Sequence, residues 1–261
     1  MNALPRSRTI RLLWACVAAL NAALNMLCIA TPANAADEDP LQAVLEKSDQ
    51  IRFPREGFQV DVNITNSGFG KEQDNRKYRI MSKGNDNTVV ITTEPASEKG
   101  QILLMKARDL WVFLPDISQP VRLSLSQRLT GEVANGDLAR ANFAGDYTAK
   151  LVRTESIDGE TYQVLELAAV DRGVTYHRVL YWVRQSDARP LKAEFYSLSD
   201  RLLKTCKYLD YKKVAGQMRP TRLILEDALH QNEQSVLEYS NMKIRDLPDK
   251  LFTKDYLKKL E

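Results

Sequence analysis

The sequence predicts a mainly β protein, an antiparallel meander of about eleven strands with short flanking helices, forming a sheet or barrel. Three observations predict it. Apolar residues recur at every second position in run after run, the mark of strands buried on one face. Polar turn residues separate these runs roughly every 8–12 residues. Within residues 36–261, helix-period patterning occurs only near the two ends.

The first element is a leader. Arg6, Arg8 and Arg11 precede any acidic residue, and an apolar stretch runs from Leu12 to Ala30, broken by Asn21 and Asn25. Ala33-Asn34-Ala35 then offers the small residues that signal peptidase reads, ahead of Asp37-Glu38-Asp39. This order predicts a cleaved secretory signal over residues 1–35 and a single domain over residues 36–261, exported to the periplasm of a Gram-negative envelope. The apolar stretch is also long enough for a spanning anchor of ~20 residues, but the asparagines and the small-residue site favour cleavage. Lipidation is excluded, because Met26 and Leu27 before Cys28 are too large and Cys16 lies too close to Arg11. The leader carries three arginines and no acid, which leaves 34 basic against 34 acidic residues. A neutral chain has no footprint for nucleic acid. Cys206 remains without a disulfide partner, so the core must supply the stability.

Asp39-Pro40 opens a helix as N-cap and first helical residue, with Leu41, Val44, Leu45 and Ile51 at helical spacing. Period two begins at Phe58, Val60, Val62 and Ile64. Further strands are expected over 76–82, 88–93, 101–106, 109–114 and 121–125, the third and fourth of these pairing across Ala107-Arg108. The strand signal fails from Arg128 to Asp146, where Asp137 is placed to cap a short helix; long interruptions of this kind are often functional. Strands resume over 147–154, 161–167, 176–184, 190–196, 202–211, 219–227 and 235–239, and a helix over 256–260 ends the chain.

Catalytic signals are absent. The expected domain holds two histidines, His177 in a strand and His230 in a polar turn between Asp227 and Glu233. There is no H-x-x-x-H, C-x-x-C, G-x-S-x-G, dinucleotide fingerprint or P-loop, so no enzyme, metal or cofactor is expected. Cys206 reads as a structural thiol within a strand. What remains is apolar surface: Leu103 and Met105, Trp111 and Phe113, Leu123, Tyr147, Leu165 and Leu167, Tyr181 and Val183, Leu223 and Leu225. These are read as inward residues, with Trp111, Phe113 and Tyr147 near the mouth. They form either a plain core or the lining of a cavity between a curved sheet and its helices, with 128–146 as a gate.

The stretch from Gly100 to Leu125 resembles the lipoprotein-carrier superfamily of LolA and LolB type, in its branch of outer-membrane lipoprotein-sorting proteins. The carriers show an apolar strand, a turn, and then a Leu-Trp-aromatic-aromatic-x-Pro run, here Leu110-Trp111-Val112-Phe113-Leu114-Pro115. Gly145-Asp146-Tyr147, Gly216 with Pro220, and Leu247-Pro248-Asp249-Lys250-Leu251-Phe252-Thr253 match the sorting branch. The resemblance implies a half-open antiparallel β-barrel with a helical lid and a hydrophobic cavity for acyl chains of lipoproteins or lipids. It also implies transient membrane contact and a partner transporter of ABC or RND type in the inner membrane. Arg76 and Arg79 lie near the arginine that ties barrel to lid in the inner carrier, but neither aligns with it. Two other readings stand beside the carrier: an accessory subunit of an export machine with a filled core, and a lipid hydrolase with a buried polar cluster around His177.

Overall fold

In the computed structural model, which describes residues 39–68, 73–140, 142–230 and 232–257, thirteen strands pair in one antiparallel sheet. The expected secretory leader and its cleavage site lie outside the described residues. Among the described residues, no helix is long and apolar enough to cross a membrane.

Helix α1 (Pro40–Arg52) is capped by Asp39, whose carboxylate accepts from the Leu41 amide at 3.0 Å. Strands β1 (Phe58–Ser67), β2 (Asp74–Lys83), β3 (Asn87–Glu94), β4 (Ile102–Lys106), β5 (Asp109–Phe113) and β6 (Val121–Leu123) step outward one neighbour at a time. The chain then leaves the sheet. It forms a hairpin of β7 (Arg128–Thr130) and β8 (Val133–Ala134) and two short helices, α2 (Asn135–Ala139) and α3 (Phe143–Asp146). It returns at the opposite edge as β9 (Tyr147–Ile157). From there it walks back through β10 (Glu160–Ala169), β11 (Arg178–Arg184), β12 (Pro190–Tyr196), β13 (Leu202–Val214) and β14 (Gln217–Asp227) to β15 (Gln234–Ile244), which pairs with β1. A 3-10 turn (Asp249–Phe252) and helix α4 (Lys254–Leu257) follow.

Thirteen strands replace the expected eleven, and the sheet is not closed, because its edges β6 and β9 do not pair with each other. The sheet curls nonetheless. Laid flat, thirteen strands at ~4.8 Å spacing would span ~58 Å, too far for a crossing segment folded into a hairpin and helical turns. Arg108, in the turn between β4 and β5, bonds Asp146 beside β9 at 2.9 Å and Asp171 beyond β10 at 2.5 Å. Strands from opposite ends of the order therefore approach at that rim.

The larger core lies on the face that α1 and the crossing segment cover, here the inner face. Central strand β1 contributes Phe58, Val60, Val62 and Ile64, each no more than 2% exposed, as period two requires. A second core lies on the other face of β3 to β5, under Leu247, Leu251, Phe252 and Leu257.

Candidate functional site

The inner face is the one large concentration of apolar side chains among the described residues, and separate pieces of chain cover it. Helix α1 presents Leu45 together with Ser48, Asp49 and Arg52, all buried. A helix buried on one stripe ordinarily keeps charges off it; here each polar group has a partner. Ser48 Oγ and the Tyr181 hydroxyl share a hydrogen bond at 2.7 Å. Arg52 donates to Asp49 at 3.1 Å and lies over the Phe143 ring, 4.2 Å from its centroid. Asp49 also accepts from the Ala144 amide at 2.8 Å, which ties α1 to α3. Burial raises the Asp49 pKa to about 6, while Arg52 and the backbone amides act against that rise.

Tyr147 at the start of β9 joins the same core, to which the crossing segment supplies Leu125, Val133, Leu138 and Phe143. Its polar groups tie it down. Asp137 accepts from the Ala134 amide at 2.9 Å, from the Tyr176 hydroxyl at 2.7 and 2.8 Å, and from Lys204 Nζ at 2.7 Å. Lys204 sits on β13, is 4% exposed, and also donates to the Glu132 carbonyl. Arg140 pairs with Asp146 at 2.5 Å and with Asp86 at 3.0 Å. Gly136 lies against Thr175 so closely that a Cβ would meet its Oγ1 at 2.0 Å. Asp137 was expected to open a helix; it sits in the first turn of α2, and a second helix, α3, is capped separately by Asn142.

Between these pieces and the sheet remains a void of about 30 Å³, lined by Arg52, Asp137, Phe143, Tyr147, Tyr176, Cys206, Tyr208, Leu223 and Leu225 among others. That is room for a water or two, against the ~300–1,000 Å³ of ordinary ligand pockets. Burial pushes the Cys206 thiol up to about 12 and raises Tyr147, Tyr176 and Tyr208 as well, so these groups stay protonated.

Of the residues read as inward, Leu103, Met105, Tyr147, Leu165, Leu167, Tyr181, Val183 and Leu225 are buried in the inner core, and Leu123 and Leu223 pack against it. Tyr147, Leu223 and Leu225 reach the void itself. Trp111 and Phe113 do not belong to this set. They lie on the opposite face, in the core under the C-terminal segment, with Lys254 Nζ 3.8 Å from the Trp111 ring centroid. Strand register is the reason: Leu103 faces Val112 and Leu104 faces Trp111 across the β4–β5 pair, so Leu103 and Trp111 point to opposite sides. His177 is exposed. The buried residues Ser48, Asp49, Arg52 and Lys204 escaped the sequence reading, and Asp137 was read as a helix cap without its partners Tyr176 and Lys204. Lys204 carried a signal, since it alternates with Cys206 and Tyr208 on the inward side of β13.

Comparisons with known proteins bear on this arrangement. A family model described as "Uncharacterized protein" matches residues 84–259. No curated protein matches the chain. Among solved structures the chain is similar to a LolA superfamily protein from Nitrosomonas europaea, at 62% identity over 82% of this chain and 98% of that chain, with a TM-score of 0.79. It is also similar to a Vibrio parahaemolyticus domain named for outer membrane lipoprotein sorting (21% identity, 83% and 97% of the two chains, TM-score 0.72). A DUF1329 family protein from Desulfovibrio piger shares the fold (24% identity, 84% and 100%, TM-score 0.70).

Proposed function

Because the chain belongs to the LolA superfamily, we propose that it is a non-enzymatic periplasmic carrier, which holds acyl chains of lipoproteins or lipids against the inner face of its sheet and moves them towards the outer membrane. One observation supports this reading most. The apolar inner face is covered by α1 and the crossing segment, which bury apolar side chains against it and are also held by polar contacts, Asp137 to Lys204 on the sheet and Asp49 to the Ala144 amide between the two covers. Displacing them uncovers a broad apolar surface, and each CH₂ of an acyl chain laid there is stabilised by ~0.8 kcal/mol relative to water. The packed form is then the unloaded carrier, with the crossing segment standing in for cargo. An inner-membrane transporter of ABC or RND type would load it during transient contact with the membrane.

The rival reading is an accessory subunit of such a transporter that carries no lipid. It is favoured by the small void, about 30 Å³. Native mass spectrometry of the protein purified from periplasm, followed by solvent extraction and lipid analysis, separates the two. The expected result is an acylated species bound at defined stoichiometry. A protein that is bare as purified and stays bare after incubation with lipid vesicles and diacylated lipopeptides overturns the carrier and leaves the accessory subunit.

A further inference from the structure

The main sheet buries charge of one sign. Among the described residues, two charged side chains are buried on its strands, Lys204 on β13 and Arg219 on β14, and both are cations. The buried acids Asp49, Glu132 and Asp146 all lie on α1 or the crossing segment, which also carry Arg52 and Arg140. Arg219 donates to the carbonyls of Gln50 and Ile51 at the end of α1. Lys204 pairs with Asp137 of the crossing segment, whose side chain is 12% exposed. Each cover is thus held by one cation of the sheet.

Around the Asp137 carboxylate the donors form an oxyanion site. Lys204 Nζ donates to it at 2.7 Å and the Tyr176 hydroxyl at 2.7 and 2.8 Å. Neither donor belongs to the crossing segment, since Lys204 lies on β13 and Tyr176 just ahead of β11. Burial raises the Tyr176 pKa, so its hydroxyl keeps the proton it donates. Lys204 also bonds the Glu132 carbonyl, and its Nζ lies 5.1 and 5.9 Å from the ring centroids of Tyr176 and Phe195. When the crossing segment lifts, the Asp137 carboxylate and the Glu132 carbonyl leave with it. An ammonium and a phenol then remain among the apolar side chains of the sheet. A cleft of about 230 Å³ opens beside them, lined by Tyr176, Arg201 and Lys204 and by the acids Glu132 and Asp227. Asp227 is already engaged by the amides of Leu229 and His230, at 2.6 and 2.7 Å.

On the carrier reading, on which this inference rests, cargo takes the place of the crossing segment. Acyl chains laid over an ammonium without a counter-charge leave it desolvated and unpaired, which is costly. An oxyanion in the position of the Asp137 carboxylate restores the charge-assisted bonds. We propose that the cargo is an acidic lipid, whose phosphate or carboxylate replaces the Asp137 carboxylate between Lys204 and Tyr176 while its acyl chains lie on the apolar inner face. The cleft beside Lys204 receives the rest of the headgroup. A zwitterionic headgroup fits less well, because it brings a second ammonium beside Lys204 and Arg201. An uncharged, fully acylated lipid leaves Lys204 unpaired.

The test mixes the protein purified from periplasm with vesicles of chain-deuterated phosphatidylglycerol and phosphatidylcholine in equal parts. After the vesicles are sedimented, the lipid bound to the protein is extracted and measured by mass spectrometry. Wild type should take up phosphatidylglycerol over phosphatidylcholine by at least about tenfold, the ratio expected from one charge-assisted bond. A second mixture, with deuterated oleate in place of phosphatidylglycerol, tells a carboxylate from a phosphate, and preference for either acid over phosphatidylcholine supports the inference. Asp137→Asn combined with Lys204→Met removes both charges and should bring the ratio close to one, whereas Lys204→Arg should keep it. Should the double variant fail to fold, Tyr176→Phe removes one donor without changing charge and should lower the ratio. Equal uptake by wild type, or a preference that the double variant or Tyr176→Phe retains in full, overturns the inference and leaves the carrier standing. Uptake of no lipid at all overturns the carrier reading and this inference with it.

Discussion

Asp49 carries the pH dependence of the buried network. Its folded pKa of about 6 lies above the ordinary 3.8 because burial disfavours the charge. Between those values the folded chain holds a proton that the unfolded chain has released, so this group's contribution to stability falls as pH rises from about 4 through 6. Urea unfolding of wild type and Asp49→Asn at pH 4, 5, 6 and 7 should show the wild type losing ground to the variant across that window. Parallel curves would mean that Asp49 is not perturbed. The Asp137–Lys204 pair predicts a second effect. Asp137→Asn leaves the Lys204 ammonium buried without its counter-charge and should cost about 3–5 kcal/mol. Adding Lys204→Met should recover part of that loss, and additive costs in the double variant would show the two do not interact. Little of this was legible in the sequence. The apolar residues of α1 were the ones singled out, although Ser48, Asp49 and Arg52 share the face of Leu45 at i+3, i+4 and i+7, because nothing local says that polar groups there will find partners on a second piece of chain. Asp137 lay where the strand signal fails, and its partners Tyr176 and Lys204 are 39 and 67 residues away.

At the scale of elements, strands and turns were read well because each is set by neighbours in sequence. The period of two in β1 and the two-residue turn at Ala107-Arg108 both hold. That turn pairs Lys106 with Asp109, hence Leu104 with Trp111 and Ile102 with Phe113. The register therefore excluded a shared inner face for Leu103, Met105, Trp111 and Phe113, and the size of the aromatic rings misled where the parity of their positions did not. The core on the outer face also gives the C-terminal segment a role. Leu247, Leu251, Phe252 and Leu257 are each no more than 8% exposed, and burying such a side chain stabilises by ~1.5–3 kcal/mol. A chain ending at Arg245 should lose several kcal/mol by urea unfolding, shift its tryptophan emission to the red as Trp111 meets water, and associate with rising concentration through the uncovered patch. Unchanged emission and light scattering would mean the segment is only loosely laid down.

For the whole molecule, composition and pattern predicted a mainly β chain, and the order of its strands follows a simple plan. Two meanders run side by side, each pairing nearest neighbours in sequence, and a single joint between β1 and β15 unites them. Sequence periodicity does not contain that joint, nor the curl that lets the crossing segment reach from one edge to the other. It follows from long-range packing, as does the filled interior. The short strands and the break at 128–146 pointed to a covered sheet, but only the register of β13 to β15 against β1 and the ties of Asp137 show what does the covering.

The same joint sets when the fold can form. Phe58 lies opposite Ile244 and Ser67 opposite Gln234, so the central strand waits for one of the last to emerge. Until then β1 is a bare edge, and the loop that must close encloses most of the chain, at an entropic cost that long-range β pairing meets only late. The sheet is therefore complete only once β15 is available to pair with β1, and the two meanders remain separate until that pairing forms.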